Sequence, residues 1–478
     1  MSTSSGNPHD WQRKPGDRFF RVSRIEPWRV LIPKENEKKS SQPSLRTLLY
    51  GFAGMIILGT ILLMMPFAAE SGKFTSPINA FFTATSSVCV TGLTVVDTAD
   101  YWNTFGEIII LLLIQFGGFG YMAVTTFFLV ALGRKISIRE KLLVGESIGL
   151  TQPGDVRGLV RNLVLFTLML EIFGAAILFS QFYSVYPLSE AIWKSIFHAV
   201  SAFNNAGFDL MGSYRSLSEY NSNPVILLTI AGLVIIGGLS FLVIQDIYRS
   251  RKTMRLAVDT KMVLTVSGIL LVFGTIIIIA AESINPGTLG SFSFPDKILN
   301  SFFHNVVSRT AGFYTFDIGS MAPYALFFTM LFMFIGGASG STAGGIKVGT
   351  FGIVFATVLS AIRGKEHPSA FGREFMESQI YRALAVVMLS VGLLVIVVFF
   401  LTLIEDFDFL PLAFESVSAF GTVGLSTGIT PNLSVIGKIL IALTMFIGRL
   451  GPLTLTLTMV KSQKITILRY PKEIIRIG

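Results

Sequence analysis

Phe82-Thr-Ala-Thr-Ser-Ser-Val-Cys-Val-Thr-Gly92-Leu93 returns three more times along the chain. The second copy reads Phe197-His-Ala-Val-Ser-Ala-Phe-Asn-Asn-Ala-Gly207-Phe208 and the third Phe303-His-Asn-Val-Val-Ser-Arg-Thr-Ala-Gly312-Phe313. The fourth is Phe414-Glu-Ser-Val-Ser-Ala-Phe-Gly-Thr-Val-Gly424-Leu425. In each, an aromatic residue leads, small and hydroxylated residues fill the middle, and glycine precedes a bulky apolar residue. The four glycines stand 115, 105 and 112 residues apart. The leading Phe precedes glycine by ten residues in copies one, two and four and by nine in copy three. A fixed period of this kind marks an internal repeat.

Each copy is too short to cross a bilayer, and each lies between two apolar runs near the ~20 residues that a spanning helix needs. Leu48–Pro66 and Phe105–Leu132 flank the first, and Leu159–Phe182 and Pro224–Ile244 the second. Met262–Ala281 precedes the third. Met321–Ile335, interrupted by a Gly/Ser run and resumed as Ile346–Ile362, follows it as one broken span. Ala383–Leu403 and Val435–Met459 flank the fourth. Runs this continuous exclude the alternating pattern of a barrel strand. The expected fold is therefore an all-α integral membrane protein. It has eight transmembrane spans, arranged as four helix–re-entrant loop–helix pseudo-repeats around one central pore. The repeats fall at 47–133, 158–249, 258–362 and 378–462, between a basic N-terminal tail at 1–46 and a C-terminal tail at 463–478. Composition agrees: 51% of residues are hydrophobic and 14% charged, where a soluble domain carries about a quarter charged.

Charge sets the expected topology. The formal net charge is +9, but it is the sum of two unlike faces. The segments on the side of the N-terminal tail (Arg134–Arg161, Arg249–Lys261, Lys347–Arg382 and Lys461–Gly478) together with that tail hold 31 of the 38 Lys/Arg. The opposite side holds six basic residues against 14 acidic ones, among them Asp97, Asp209 and Asp317. The positive-inside rule places both termini in the cytoplasm of a multi-pass cell-membrane protein. The basic balance is thus no nucleic-acid signature, and the acidic outer face suits the mouth of a cation pore. The N-terminal region has no apolar core of a signal peptide, and the single cysteine, Cys89, permits no intrachain disulfide.

Irregular backbone at membrane depth is tolerated only where protein buries it or where it lines a wet cavity. One such segment alone reads well as an interfacial helix ending in a glycine cap. Four in register read better as a ring. Glycine tolerates backbone angles that other residues resist, and a ring of carbonyl oxygens can replace a cation's hydration shell. The expected filter is Val90, Thr91 and Gly92; Asn205, Ala206 and Gly207; Thr310, Ala311 and Gly312; and Thr422, Val423 and Gly424. A cation is the ion expected there, and no covalent cofactor is expected.

These segments resemble the filter segments of the Trk/Ktr/HKT superfamily of potassium transporters. Two further stretches carry the resemblance: Phe334-Ile-Gly-Gly-Ala-Ser-Gly-Ser-Thr-Ala-Gly-Gly-Ile-Lys347, like an intramembrane gating loop, and Met445-Phe-Ile-Gly-Arg449-Leu-Gly-Pro452, like a last-helix motif with a buried arginine. Eight spans and a short polar tail are most similar to the Ktr membrane subunit. The resemblance covers roughly Leu48 to Gly478. It implies potassium uptake driven by the membrane potential, with sodium coupling left open. It implies a gate formed by Gly336, Gly337, Ser339, Gly340, Ser341, Thr342, Gly344, Gly345 and Arg449. It also implies a bacterial homodimer in the lipid bilayer, regulated by a cytoplasmic nucleotide-binding ring docked on the basic inner loops, with Tyr470–Gly478 as a dimer contact. Gly92, where plant sodium-preferring members carry serine, implies potassium.

Alternatives stand beside these readings. A sodium-conducting or weakly selective transporter shares the fold. Arg449 could instead serve a structural salt bridge with Glu171, or bind carbonyls of the Gly/Ser loop. Gly337-Ala-Ser339-Gly340 looks like the nucleophile motif of an intramembrane serine protease, but such chemistry needs a base within hydrogen-bond reach. The membrane histidines, His198 and His304, belong to re-entrant segments nearer the outer face. No phosphate-binding loop is formed, because Ile346 separates Gly345 from Lys347. The reading is a transporter and not an enzyme.

Overall fold

A computed structural model describes residues 45–120, 156–253, 256–365 and 367–451. All lie in the compact unit Pro43–Gly478. Most of the basic tail, most of the segment Arg134–Arg161, Pro452 and the C-terminal tail with Tyr470–Gly478 fall outside the described residues.

The longer helices are α1 (Leu45–Met64), α2 (Pro77–Cys89), α3 (Thr104–Phe119), α4 (Val156–Phe182), α5 (Leu188–Phe203), α6 (Pro224–Gly238) and α7 (Phe241–Thr253). They continue as α8 (Val258–Glu282), α9 (Phe294–Val307), α10 (Pro323–Phe334), α11 (Val348–Ile362), α12 (Glu377–Ile404), α13 (Phe409–Gly421) and α14 (Val435–Leu450). A two-stranded hairpin pairs Ser369–Ala370 with Arg373–Glu374. Three of the four helices that follow the recurring segments begin where side chains cap free N–H groups. Asn103 caps α3, Asn223 caps α6 and Ser434 caps α14, as short polar side chains do at helix starts.

Burial runs inside out. Large apolar side chains of the long helices are exposed, Phe173 at 63% and Leu403 at 67% among them. Ser86, Thr91, Asn204, Asn205, Thr310, Glu415 and Thr422 are buried. Water would reverse this order, since exposed apolar surface on that scale marks a membrane or partner. Among the described residues, Val160–Phe182, Val258–Glu282 and Glu377–Ile404 are each long and apolar enough to cross a bilayer.

The run Pro224–Ile244, expected as one straight span, is two helices bent by 90° at a break. The break has a visible cause. The Gly238 carbonyl accepts from Ala338 N–H at 2.9 Å and the Gly237 carbonyl from Thr342 N–H at 3.4 Å. Acceptors that would continue the helix are therefore taken by the Gly/Ser run, and Ser240 turns to φ 62°.

The short helices α2, α5, α9 and α13 carry the four recurring segments, and their leading residues Phe82, Phe197, Phe303 and Phe414 are all fully buried. Each also packs against a helix from a neighbouring copy: α3 on α5, α6 on α9, α10 on α13, and α14 back on α2. The contacts close on themselves. Glycines make three approaches of a helix to a segment possible. A Cβ on Gly117, Gly237 or Gly448 would sit 1.9–2.1 Å from the carbonyl oxygen of Val88, Phe203 or Phe420.

Candidate functional site

Each short helix ends in the same backbone device. The residue two before glycine has positive φ: Val90 57°, Asn205 59°, Thr310 92°, Thr422 48°. The glycine has it too, Gly92 at 93°, Gly207 at 69°, Gly312 at 70° and Gly424 at 93°. A bulky or β-branched residue with positive φ is an outlier, and it persists only where surrounding structure over-determines it. Here that structure is hydrogen bonding. Thr91 N–H reaches Ser86 O, Ala206 N–H reaches Ser201 O and Val423 N–H reaches Ser418 O, each at 2.8 Å and five residues back. In the third copy Ala311 N–H reaches Val307 O at 2.8 Å, only four residues back. The nine-residue spacing of that copy is thus taken up inside the turn, not in the helix.

The four glycines form a closed ring. A Cβ on Gly92 would lie 2.5 Å from Ala206 O, on Gly207 2.7 Å from Ala311 O, on Gly312 2.7 Å from Val423 O, and on Gly424 2.2 Å from Thr91 O. Each glycine thus abuts the carbonyl just before the next glycine. Any side chain would open the ring. Serines that sequence reading placed only among the small and hydroxylated residues hold it: Ser86 Oγ accepts from Gly92 N–H and Ser418 Oγ from Gly424 N–H, each at 3.1 Å. Their position six residues before glycine, shared by Ser201, was the available signal.

On one side the ring floors a vestibule of about 610 Å³ whose walls include Asp97, Asp209, Asp317, Arg215 and Tyr314. Burial, with the neighbouring charge of Asp97, raises the Asp209 carboxyl to about 6.

The Gly/Ser run lies against the turns themselves. A Cβ on Gly344 would sit 2.1 Å from Thr422 Oγ1. The Asn205 amide is 3.0 Å from Thr310 Oγ1 and 3.2 Å from Thr342 Oγ1, joining two turns to the run. Gly336, Gly345 and Ile346 belong to a folded-back crossing in which Gly336 N–H reaches Ile346 O at 2.9 Å. Ser341 Oγ donates to Ala338 O at 2.7 Å, and Lys347 Nζ donates to Ala343 O at 2.5 Å. Gly337 sits where a Cβ would touch Gly238 O at 2.7 Å, Gly340 has φ 73°, and Ser339 is exposed.

Arg449 Nη1 donates to Thr342 O, and its Nη2 donates to Gly117 O at 2.5 Å and to Gly118 O at 3.4 Å. Among the described residues it therefore meets carbonyls and no carboxylate. Glu171, the other partner considered for it, instead accepts from Asn204 Nδ2 at 3.1 Å and Gln115 Nε2 at 3.4 Å. The histidines are committed locally: His198 Nδ1 to Lys194 O at 2.7 Å, and His304 Nε2 to Thr329 Oγ1 at 3.2 Å. Among the described residues no three His, Cys, Asp or Glu cluster as metal ligands.

Residues 47–466 match the family described as TrkH, cation transport protein. The chain belongs to that family. It is 41% identical to the Ktr system potassium uptake protein B of Bacillus subtilis, over 89% of this chain and 95% of that one. It is 37% identical to the potassium/sodium uptake protein NtpJ of Enterococcus hirae, over 94% of this chain and all of that one. The fold is similar to the crystal structure of the potassium transporter TrkH from Vibrio parahaemolyticus. The TM-score is 0.66 at 18% identity, covering 88% of this chain and 86% of that one.

Proposed function

We propose that this chain carries potassium into the cell through a single pore formed by four helix–re-entrant segment–helix repeats with eight spans. The observation that carries the reading is the ring of Gly92, Gly207, Gly312 and Gly424 at the floor of an acidic vestibule. The carboxylates raise the local cation concentration. At the ring, carbonyl oxygens of the triplets Val90–Gly92, Asn205–Gly207, Thr310–Gly312 and Thr422–Gly424 replace hydration waters. The sign of φ alternates through each triplet, which supports carbonyls facing one axis.

Below the ring, Gly336–Gly345 and Arg449 act as the gate. Arg449 ties Thr342 in this run to Gly117 and Gly118 at the end of α3, so moving either partner releases the other. A fixed positive charge there also opposes cation passage. Entry is driven by the membrane potential, worth about 2.3 kcal/mol per charge per 100 mV. Both termini face the cytoplasm, the working form is a homodimer, and a cytoplasmic nucleotide-binding ring binds the basic inner segments. The names of relatives, protein B of a Ktr system, support a working system of more than one protein.

Passage of sodium as well is a second reading, favoured by the likeness to a potassium/sodium uptake protein. One experiment addresses both. A bacterium lacking potassium uptake is grown on low potassium with wild type or Gly312→Asp, and purified protein is assayed in liposomes for potassium and sodium flux. Rescue by wild type alone supports the pore. Equal rescue by Gly312→Asp removes it, and equal flux of the two ions favours the second reading.

A further inference from the structure

Arg309 stands one residue before Thr310 in the third turn. Its Nη2 donates to Ser267 Oγ at 3.2 Å and to the Gly336 carbonyl at 3.3 Å, both uncharged. Its Nε is buried with no hydrogen-bond partner. The ion pairs among the described residues are Lys194–Glu190, Arg215–Glu219 and His367–Glu374, and none involves Arg309. A guanidinium keeps its charge in proteins, and taking such a charge out of water without a partner is costly. Arg449 meets this cost with three carbonyl dipoles. Arg309 has one.

Beside Arg309 is a cavity of about 40 Å³, enough for one small solute. Asn205, Ser267 and Gly337 line it with Arg309, and its remaining walls are apolar, with Leu271 and Val306 among them. No Asp or Glu lines it. Among the described residues the cavity thus offers the Arg309 and Ser267 donors, one positive charge outside any ion pair, and hydrocarbon.

We propose that this cavity binds a small monovalent anion, a halide, held by Arg309 with the Ser267 hydroxyl. One negative charge balances one guanidinium. On the pore reading given above, it also screens that charge from a cation at the adjacent ring.

The test is crystallographic, on the full chain grown in bromide, with bromide located by its anomalous scattering. The expected result is a peak within hydrogen-bond reach of Arg309 Nε. Absence of a peak there overturns the proposal and assigns the cavity to water. The melting temperature of the detergent-solubilised protein gives a second measurement. It should be higher by roughly 2 °C in potassium chloride than in potassium gluconate of equal ionic strength. The difference should vanish in Arg309→Gln, and a difference that persists in that variant places the halide elsewhere. If the variant does not fold, the wild-type bromide map decides. Because the map reads a halide and not potassium, it stands apart from whether the glycine ring conducts.

Discussion

Arg449 Nη2 lies 2.5 Å from the Gly117 carbonyl, 332 residues away in sequence. The same guanidinium donates to Thr342 in the Gly/Ser run. It thereby pins the run to the end of α3, and no carboxylate among the described residues shares the task. Replacing Arg449 with Gln shortens the reach and removes the charge. Potassium flux into liposomes should then rise several-fold, because charge-assisted hydrogen bonds contribute roughly twice as much as neutral ones. Lower flux would show that Arg449 builds the pore and does not close it.

Gly424→Ala introduces a Cβ 2.2 Å from Thr91 O at a residue whose φ is 93°. Strain of this kind costs on the order of 1–3 kcal/mol, and the ring has no slack to absorb it. Uptake should fall at least tenfold while the protein still inserts and purifies. Gly92→Ser likewise places a Cβ 2.5 Å from Ala206 O in the same ring, and the potassium-to-sodium flux ratio should drop in that variant.

Ser86 and Ser418 each accept one glycine N–H of the ring. Each alanine variant leaves a buried N–H without its partner, a loss of about 1–3 kcal/mol. The expected outcome is a lower melting temperature and reduced discrimination between potassium and sodium, with the double variant worse than either single one. Unchanged selectivity in the double variant would remove the serines from the filter.

Asp209 in the vestibule titrates near 6. Above that pH it is charged and adds to the field of Asp97 and Asp317; below it the group is neutral. Potassium uptake from low external concentrations should therefore weaken as external pH falls from about 7.5 to about 5, mainly through a higher KM. Asp209→Asn should hold the wild-type low-pH value across the range. The groups that set the titration are Asp97, Lys194, the Met211 N–H and Ser216. A variant that keeps the full pH response would move the titration to another group.

Glu171 accepts hydrogen bonds from Asn204 and Gln115. Glutamine at 171 keeps the size and an acceptor, whereas alanine removes the acceptor of Gln115 Nε2 and leaves Asn204 Nδ2 with Gln115 Oε1 and Val200 O alone. Thermal unfolding should therefore separate the two, with Glu171→Gln near wild type and Glu171→Ala destabilised by about 1–3 kcal/mol.

The sequence by itself determined that this is a helical membrane chain with four recurring glycine-ended segments. Apolar run length and period are local properties that survive without any contact map, and so the four glycines could be named. Family membership was legible too, because the Gly/Ser run and Met445–Arg449 are contiguous motifs.

Only tertiary structure decided the rest. The 90° break after Gly238 follows from carbonyls claimed by Ala338 and Thr342, residues a hundred positions away. Apolar periodicity carries no trace of such a theft. The choice of carbonyls over Glu171 for Arg449 depended on which groups stood within 4 Å once the helices had packed. The cavity beside Arg309 has no sequence signal at all, since its walls come from α6, α8, the end of α9 with Arg309, the second turn and the Gly/Ser run, which are separate stretches of the chain. Chain-local chemistry fixes which elements exist. Where distant donors, acceptors and charges meet is a matter of packing.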